Sequence, residues 1–237
     1  MSAAAGRIGP NAITRLFEAL DGVEGKSAAD TIARAADAAT YRAASPTDMV
    51  AEADVRALHD AVRAKFGASR AATLGWIAGQ RTADYLLAHR IPGAVQVIMK
   101  VAPPRIASAM LMAAIARHAW TFCGSGQFSY RLGTPLAIMI ADNPLAKGAA
   151  SDEPLCAYYA AVFERLFAVL VHPMTRVIET ECMGTGAPLC RFVCDWRKTR
   201  LSQVKAANRG YANKNSNERD CCGRCGSVDG ANSRHVN

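Results

Sequence analysis

Apolar residues recur at helical intervals through the first half of the chain. Within Asn11–Leu20, Ile13, Leu16, Phe17 and Leu20 fall on one face, and Pro10 stands where a first-turn proline is tolerated. Gly22 and Gly25 interrupt that period, and an alanine-rich stretch follows to Ala44. Ser45-Pro46-Thr47-Asp48 reads as a turn with Thr47 as an N-cap. Val55, Leu58, Val62 and Phe66 form the next stripe, which Gly67 ends. A further helix is expected from Ser69 to Arg90, with Trp76, Ile77, Tyr85 and Leu86 along it, before Pro92-Gly93. Pro104–Trp120 is helical again, with Ile106, Met110, Ala114 and Arg117 at helical offsets.

The period then shortens to two. Phe128, Tyr130 and Leu132 alternate with polar residues, and the run Leu136–Ile140 is bounded by Pro135 and by Asp142-Asn143-Pro144, so a strand pair joined around Gly133 is predicted. Pro154–Val171 returns to helical spacing. Met174–Cys182 and Leu189–Trp196, separated by Gly184-Thr185-Gly186, read as a terminal β-hairpin. Strands that arrive in pairs across short turns imply an antiparallel sheet with helices packed on one side, an α+β domain.

Charge refines the boundaries. The 237 residues carry 28 Lys+Arg and 20 Asp+Glu, but nine of those basic residues and only three of the acidic ones lie from Arg197 onward. The domain at 1–196 is therefore nearly neutral, and basicity is concentrated in 197–237. That segment is rich in Asn, Gly and Ser and is expected to be a disordered tail, because it has too little apolar surface to offset its ordering entropy. A sequence-specific nucleic-acid partner is not expected, since such readers carry their charge on a folded element. A membrane span is not expected either: the most apolar long stretch, Pro154–Val171, carries Glu164 and Arg165 in its middle. The N-terminus lacks a continuous apolar signal core, which makes a cytoplasmic chain the expectation.

Eight cysteines in a cytoplasmic chain of this size point to metal or to inert burial rather than to disulfides. On the hairpin, Cys182 and Cys190 flank the turn, where antiparallel pairing sets facing Cβ atoms about 5 Å apart. Two such thiolates can share one zinc ion. Glu179 has the opposite strand parity from Cys182, so its carboxylate reaches the same place only if a bulge lies near Thr180–Cys182. Cys156, on the preceding helix, is the candidate fourth donor. Buried cysteine also serves as a small hydrophobe, and spacing alone leaves both readings open. Cys194 and Cys123 are candidate core thiols. The tail set Cys221, Cys222 and Cys225, with His235, is better read as free thiols on a flexible segment than as a second metal site.

The order of elements, closed by Cys156, Glu179-x-x-Cys182 and Cys190-Arg191-Phe192, resembles the four-vinyl-reductase domain family. That family's fold is TRAPP-subunit-like, and its domain also occurs in phenol-responsive activators. The opening Arg7-Ile8-Gly9-Pro10-Asn11-Ala12-Ile13 further resembles the members that serve bacteriochlorophyll biosynthesis. The resemblance covers about residues 5–196. It implies a small-ligand-binding domain with a closed structural zinc site at Cys156, Glu179, Cys182 and Cys190.

Vinyl reduction needs two electrons and protons from a nicotinamide, flavin or iron–sulfur donor. Gly124-Ser125-Gly126 lacks the third glycine of a dinucleotide fingerprint and precedes a strand instead of following one, so no motif supports NADPH. The resemblance thus implies a protein that binds a chlorophyllide-type tetrapyrrole for the 8-vinyl (4-vinyl) reduction step, more as substrate carrier or accessory than as catalyst. An intrinsic vinyl reductase and a dimeric scaffold or small-molecule sensor are the alternatives. Other pigment-biosynthesis enzymes and a second copy of the chain are the expected protein partners, with a peripheral position at the photosynthetic membrane. His118 and Trp120 are the pigment candidates, since a neutral imidazole can ligate magnesium. A histidine near a helix C-terminus also serves the terminal carbonyls, as do His89 and His172 at other element ends. Met99, Met110, Met112 and Met139 read as adaptable core, and Arg105 and Arg117 as solvated charges.

Overall fold

The computed structural model describes residues 6–197 and follows the apolar periodicity closely. Its elements are β1 (Arg7–Ile8), α1 (Asn11–Val23), α2 (Lys26–Ala35), α3 (Ala39–Ala43), β2 (Val50–Ala51), α4 (Glu52–His89), α5 (Gly93–Val101), α6 (Pro104–Arg117) and α7 (Trp120–Cys123). They continue with β3 (Gln127–Arg131), β4 (Leu136–Ala141), α8 (Ala157–Leu170), β5 (Arg176–Glu181) and β6 (Cys190–Asp195). The α+β architecture is as expected. The tail thiols Cys221, Cys222 and Cys225, and His235, lie outside the described residues.

β3, β4, β6 and β5, in that spatial order, form one antiparallel sheet. The two hairpins join through β4 and β6, where Leu136 faces Cys194, Ile138 faces Phe192 and Ile140 faces Cys190. Strict alternation turns Leu136, Ile138 and Ile140 of β4 and Cys190, Phe192 and Cys194 of β6 to the same buried side. α8 lies over that side, with Phe163 edge-on to Phe192 at a centroid distance of 5.6 Å. Its other flank meets α4 so closely that a Cβ on Gly79 would stand 2.3 Å from the Tyr158 carbonyl oxygen. α8 is thus enclosed on both flanks, which is why its sequence is apolar nearly all round.

Four local features depart from expectation. Pro10 occupies the N-cap of α1 instead of its first turn. Thr47 caps nothing: the chain first adds strand β2, which pairs with β1, and Ala51 becomes the N-cap of α4. Gly67, at φ 77° and ψ 167°, breaks α4 where the sequence places a helix end, yet the segments on either side abut directly. The stretch after Pro92-Gly93 is a helix, α5, held by Gln96, whose side-chain amide donates to the carbonyls of Leu87 at 2.6 Å and Ile91 at 2.9 Å. No helix among the described residues is long and apolar enough to cross a membrane.

The Gly124-Ser125-Gly126 loop belongs to the N-terminal clasp. The Glu52 carboxylate accepts the Ser125 backbone N–H and hydroxyl, both at 2.7 Å. A Cβ on Gly6 or on Gly124 would collide with that carboxylate, 2.1 Å from Oε2 in each case. The amide that a phosphate would use is therefore occupied by an anion of the protein itself.

His59 of α4 is buried beside Tyr158, with ring centroids 5.8 Å apart and Nε2 without a hydrogen-bond partner among the described residues. Burial, and then nearby Arg63, push its pKa down to about 3. The folded protein thus refuses a proton that the unfolded chain accepts near pH 6.5, so stability present above pH 6.5 is lost as pH falls towards 3. In urea titrations at pH 7 and pH 4, His59→Leu is expected to remove about 3 kcal/mol of the wild-type acid sensitivity. Equal pH dependence in the two proteins would show that His59 is not held neutral.

Candidate metal centre

β6 opens on Cys190, and the chain before it leaves β5 through Cys182 into a single 3-10 turn, Met183–Thr185. That turn is closed by the Thr185 and Ala187 N–H groups, which donate to the Cys182 carbonyl at 3.0 and 3.1 Å. Gly186 supplies the left-handed residue the turn requires, at φ 90°. Gly184 lies against Leu155, where a Cβ would come within 2.5 Å of the leucine methyl. The loop is thereby pressed onto the residue preceding Cys156, and Cys156 itself is the N-cap of α8, just outside the helix in which the sequence places it.

The bulge required by strand parity is present. Glu179 faces Phe192, but Glu181 faces Arg191, so Thr180 is the extra residue. Its insertion brings the Glu179 carboxylate to the side of the three sulfurs. One donor atom from each of Cys156, Glu179, Cys182 and Cys190 lies within 4.8 Å of every other. Sγ of Cys190 stands 3.6 Å from that of Cys156 and 3.9 Å from that of Cys182. The edge of a tetrahedron with Zn–S bonds of about 2.3 Å is about 3.8 Å.

Every sulfur also receives one N–H. The Asn143 side-chain amide donates to Cys156 at 3.3 Å, the Leu155 backbone N–H to Cys182 at 3.4 Å and the Met183 backbone N–H to Cys190 at 3.4 Å. Such donors stabilise thiolates over thiols. Glu179 Oε2 accepts the Cys156 N–H at 2.8 Å, whereas Oε1 is buried with no partner among the described residues. A buried carboxylate oxygen left over beside three sulfurs is the arrangement a cation completes. The cluster could hold a metal ion, and the donor set, mixed thiolate and carboxylate without water, suits one of borderline softness.

Without a cation the same burial suppresses ionisation. Desolvation pushes the Cys156 thiol well up, and desolvation followed by the adjacent Cys182 thiolate pushes Glu179 up to about 8. Hydrogen bonds from the Cys156 and Cys190 thiols draw the charge onto Cys182, whose pKa falls. Cation binding must therefore release protons.

The other sequence candidates separate from this group. Cys194, between Leu136 and Val177, and Cys123 are buried in the core, and burial raises the pKa of both, Cys123 to about 12. Met99 and Met112 are core, whereas Met110 is exposed. His118 caps the C-terminus of α6 and Trp120 begins α7, so the single helix expected there is two. Both are exposed, away from any enclosed cavity. Sequence reasoning missed Asn143. It stands in Asp142-Asn143-Pro144, legible only as a turn, and its fully buried side chain also accepts the Leu145 N–H at 3.0 Å.

Asn143→Leu is expected to weaken metal retention ~10- to 100-fold in competition with a chromophoric chelator. Cys194→Ala, in the same sheet, is expected to leave the competition curve unmoved. Loss of affinity in both variants alike would reduce the Asn143 contact to a general packing role.

Among known proteins, the four-vinyl-reductase domain matches residues 136–195, a span that contains all four donors. The chain is 44% identical over 190 residues to the bacteriochlorophyll synthase 23 kDa chain of Cereibacter sphaeroides, covering 80% of this chain and 91% of that one. It is 42% identical over 206 residues to the protein of the same name from Rhodobacter capsulatus, covering 86% and 94%. Of solved structures, the Fe(II) unliganded H-NOX protein from K. algicida superposes with a TM-score of 0.53 at 11% identity, over 81% of this chain and 98% of that one, a likeness of fold.

Proposed function

Because the chain belongs to the family of the bacteriochlorophyll synthase 23 kDa chains and carries the four-vinyl-reductase domain, we propose that it serves bacteriochlorophyll biosynthesis by binding a chlorophyllide-type tetrapyrrole for the 8-vinyl (4-vinyl) reduction step. It acts as a substrate carrier or accessory protein, in the cytoplasm and at the surface of the photosynthetic membrane, alongside other pigment-biosynthesis enzymes. The observation that carries the reading is the four-donor cluster inside the matched domain, joined to strong similarity to two pathway proteins.

Zinc held by Cys156, Glu179, Cys182 and Cys190 fastens the β5–β6 hairpin to the start of α8. With four protein donors it has no open position, and zinc supplies no electrons, so its part is structural. The carrier role is favoured over catalysis by the Gly124–Gly126 loop, whose backbone amide at Ser125 is taken by Glu52. For the pigment, His118 offers a defined tautomer. Its Nδ1 lies 2.9 Å from the Ala114 carbonyl, which can only accept, so Nδ1 carries the proton and Nε2 keeps its lone pair for a magnesium ion. Trp120, 64% exposed, supplies a flat apolar surface two residues on.

Titration of the purified protein with divinyl chlorophyllide is expected to give a saturable red shift at micromolar pigment, weakened at least tenfold in His118→Ala. Anaerobic incubation with NADPH is expected to leave the vinyl group unreduced. Turnover by the protein alone would make it the reductase. A stable dimer that takes up no pigment would make it a scaffold.

A further inference from the structure

α5 and α6 pack against each other and carry their apolar residues on the wrong side for a core helix. On α5, Ala94, Val97, Ile98 and Val101 recur at offsets of three, four and seven and are all exposed, Val101 by 79% and Val97 by 61%. On α6, Ile106 and Met110 are exposed by 54% and 36%. A monomer in water rarely leaves two adjacent helices with outward apolar stripes unless something covers them.

Charge identifies the cover. Residues 85–141 contain no Asp or Glu, whereas Arg90, Lys100, Arg105, Arg117 and Arg131 are all present and all exposed. None of these five has an ion-pair partner among the described residues. A second copy of the chain would bring the same cations against themselves across a symmetric interface. The chain's own segment from Arg197 onward, with nine basic residues against three acidic, is polar and of the same sign. A surface that takes up aliphatic side chains and also carries negative charge satisfies both features, and a bilayer with anionic headgroups is that surface.

We infer that the α5–α6 helix pair is a membrane-docking surface, with Val97, Ile98, Val101 and Ile106 entering the headgroup boundary of an anionic bilayer while Lys100 and Arg105 pair with lipid phosphates. Neither helix spans the bilayer; the pair lies on it. Docking of this kind supplies a physical means for the membrane position proposed above. It depends on neither the metal nor the pigment, so its failure and theirs are separate outcomes.

The test is vesicle flotation of the full-length protein with equal parts phosphatidylcholine and phosphatidylglycerol, against phosphatidylcholine alone. Wild type is expected to float with the anionic vesicles, weakly with the neutral ones, and less as salt is raised. Val97→Asp with Val101→Asp is expected to reduce the bound fraction at least tenfold, as is Lys100→Glu with Arg105→Glu, which alters only exposed charge and guards against a folding artefact. Every protein in the series keeps the same basic C-terminal segment, so the differences report the helices. Failure of the wild type to float, or wild-type flotation by both variants, overturns the inference. So does a micromolar dimer that the aspartate pair dissociates, since the stripes would then belong to a protein interface.

Discussion

Three sulfurs and a carboxylate lie within 4.8 Å of one another at the junction of α8 with the β5–β6 hairpin, in a place largely closed to water. Groups of that kind cannot all be charged side by side in a low-dielectric setting unless a cation joins them. They could all stay protonated, but the surroundings are built against it. Each sulfur faces an N–H donor, and one Glu179 oxygen is buried with nothing to accept from among the described residues. The local structure is arranged for negative charge and lacks only the positive charge that would balance it.

That junction has consequences for the whole domain because of where α8 lies. The helix is the middle layer, between the sheet on one flank and α4 on the other, and its approach to α4 leaves no space for a side chain at Gly79. The residue that starts α8, Cys156, is also a donor of the cluster, as are the residues at both sides of the hairpin turn. A cation there ties the central helix to β5 and β6, and through the β4–β6 pairing to the rest of the sheet. The α5–α6 pair stands apart from this logic: its outward stripes contribute to no core, and its charge is of one sign.

Much of this was legible from residue spacing, for physical reasons that can be named. Strand side chains alternate with a period of two, so the shared parity of Cys190 and Cys194 and the mismatch between Glu179 and Cys182 could be read directly, and the mismatch required the bulge found at Thr180. Gly67 was legible because its backbone conformation is one that few other residues adopt. Asn143 was not legible, since an Asx residue before proline has the same appearance whether its side chain closes a turn or reaches a sulfur 13 residues on. The β1–β2 pair, two residues to a strand, is too short to leave a periodic signal, and its insertion displaced the cap expected at Thr47. α5 escaped because its apolar stripe faces outward and Pro92-Gly93 marks a turn as readily as a helix start.

X-ray absorption at the zinc edge, on protein purified under reducing conditions, tests the central claim most directly. The account predicts one zinc per chain with three sulfurs at about 2.3 Å and one oxygen at about 2.0–2.2 Å. A protein without stoichiometric zinc, or a zinc shell made mainly of nitrogen and oxygen, would contradict it.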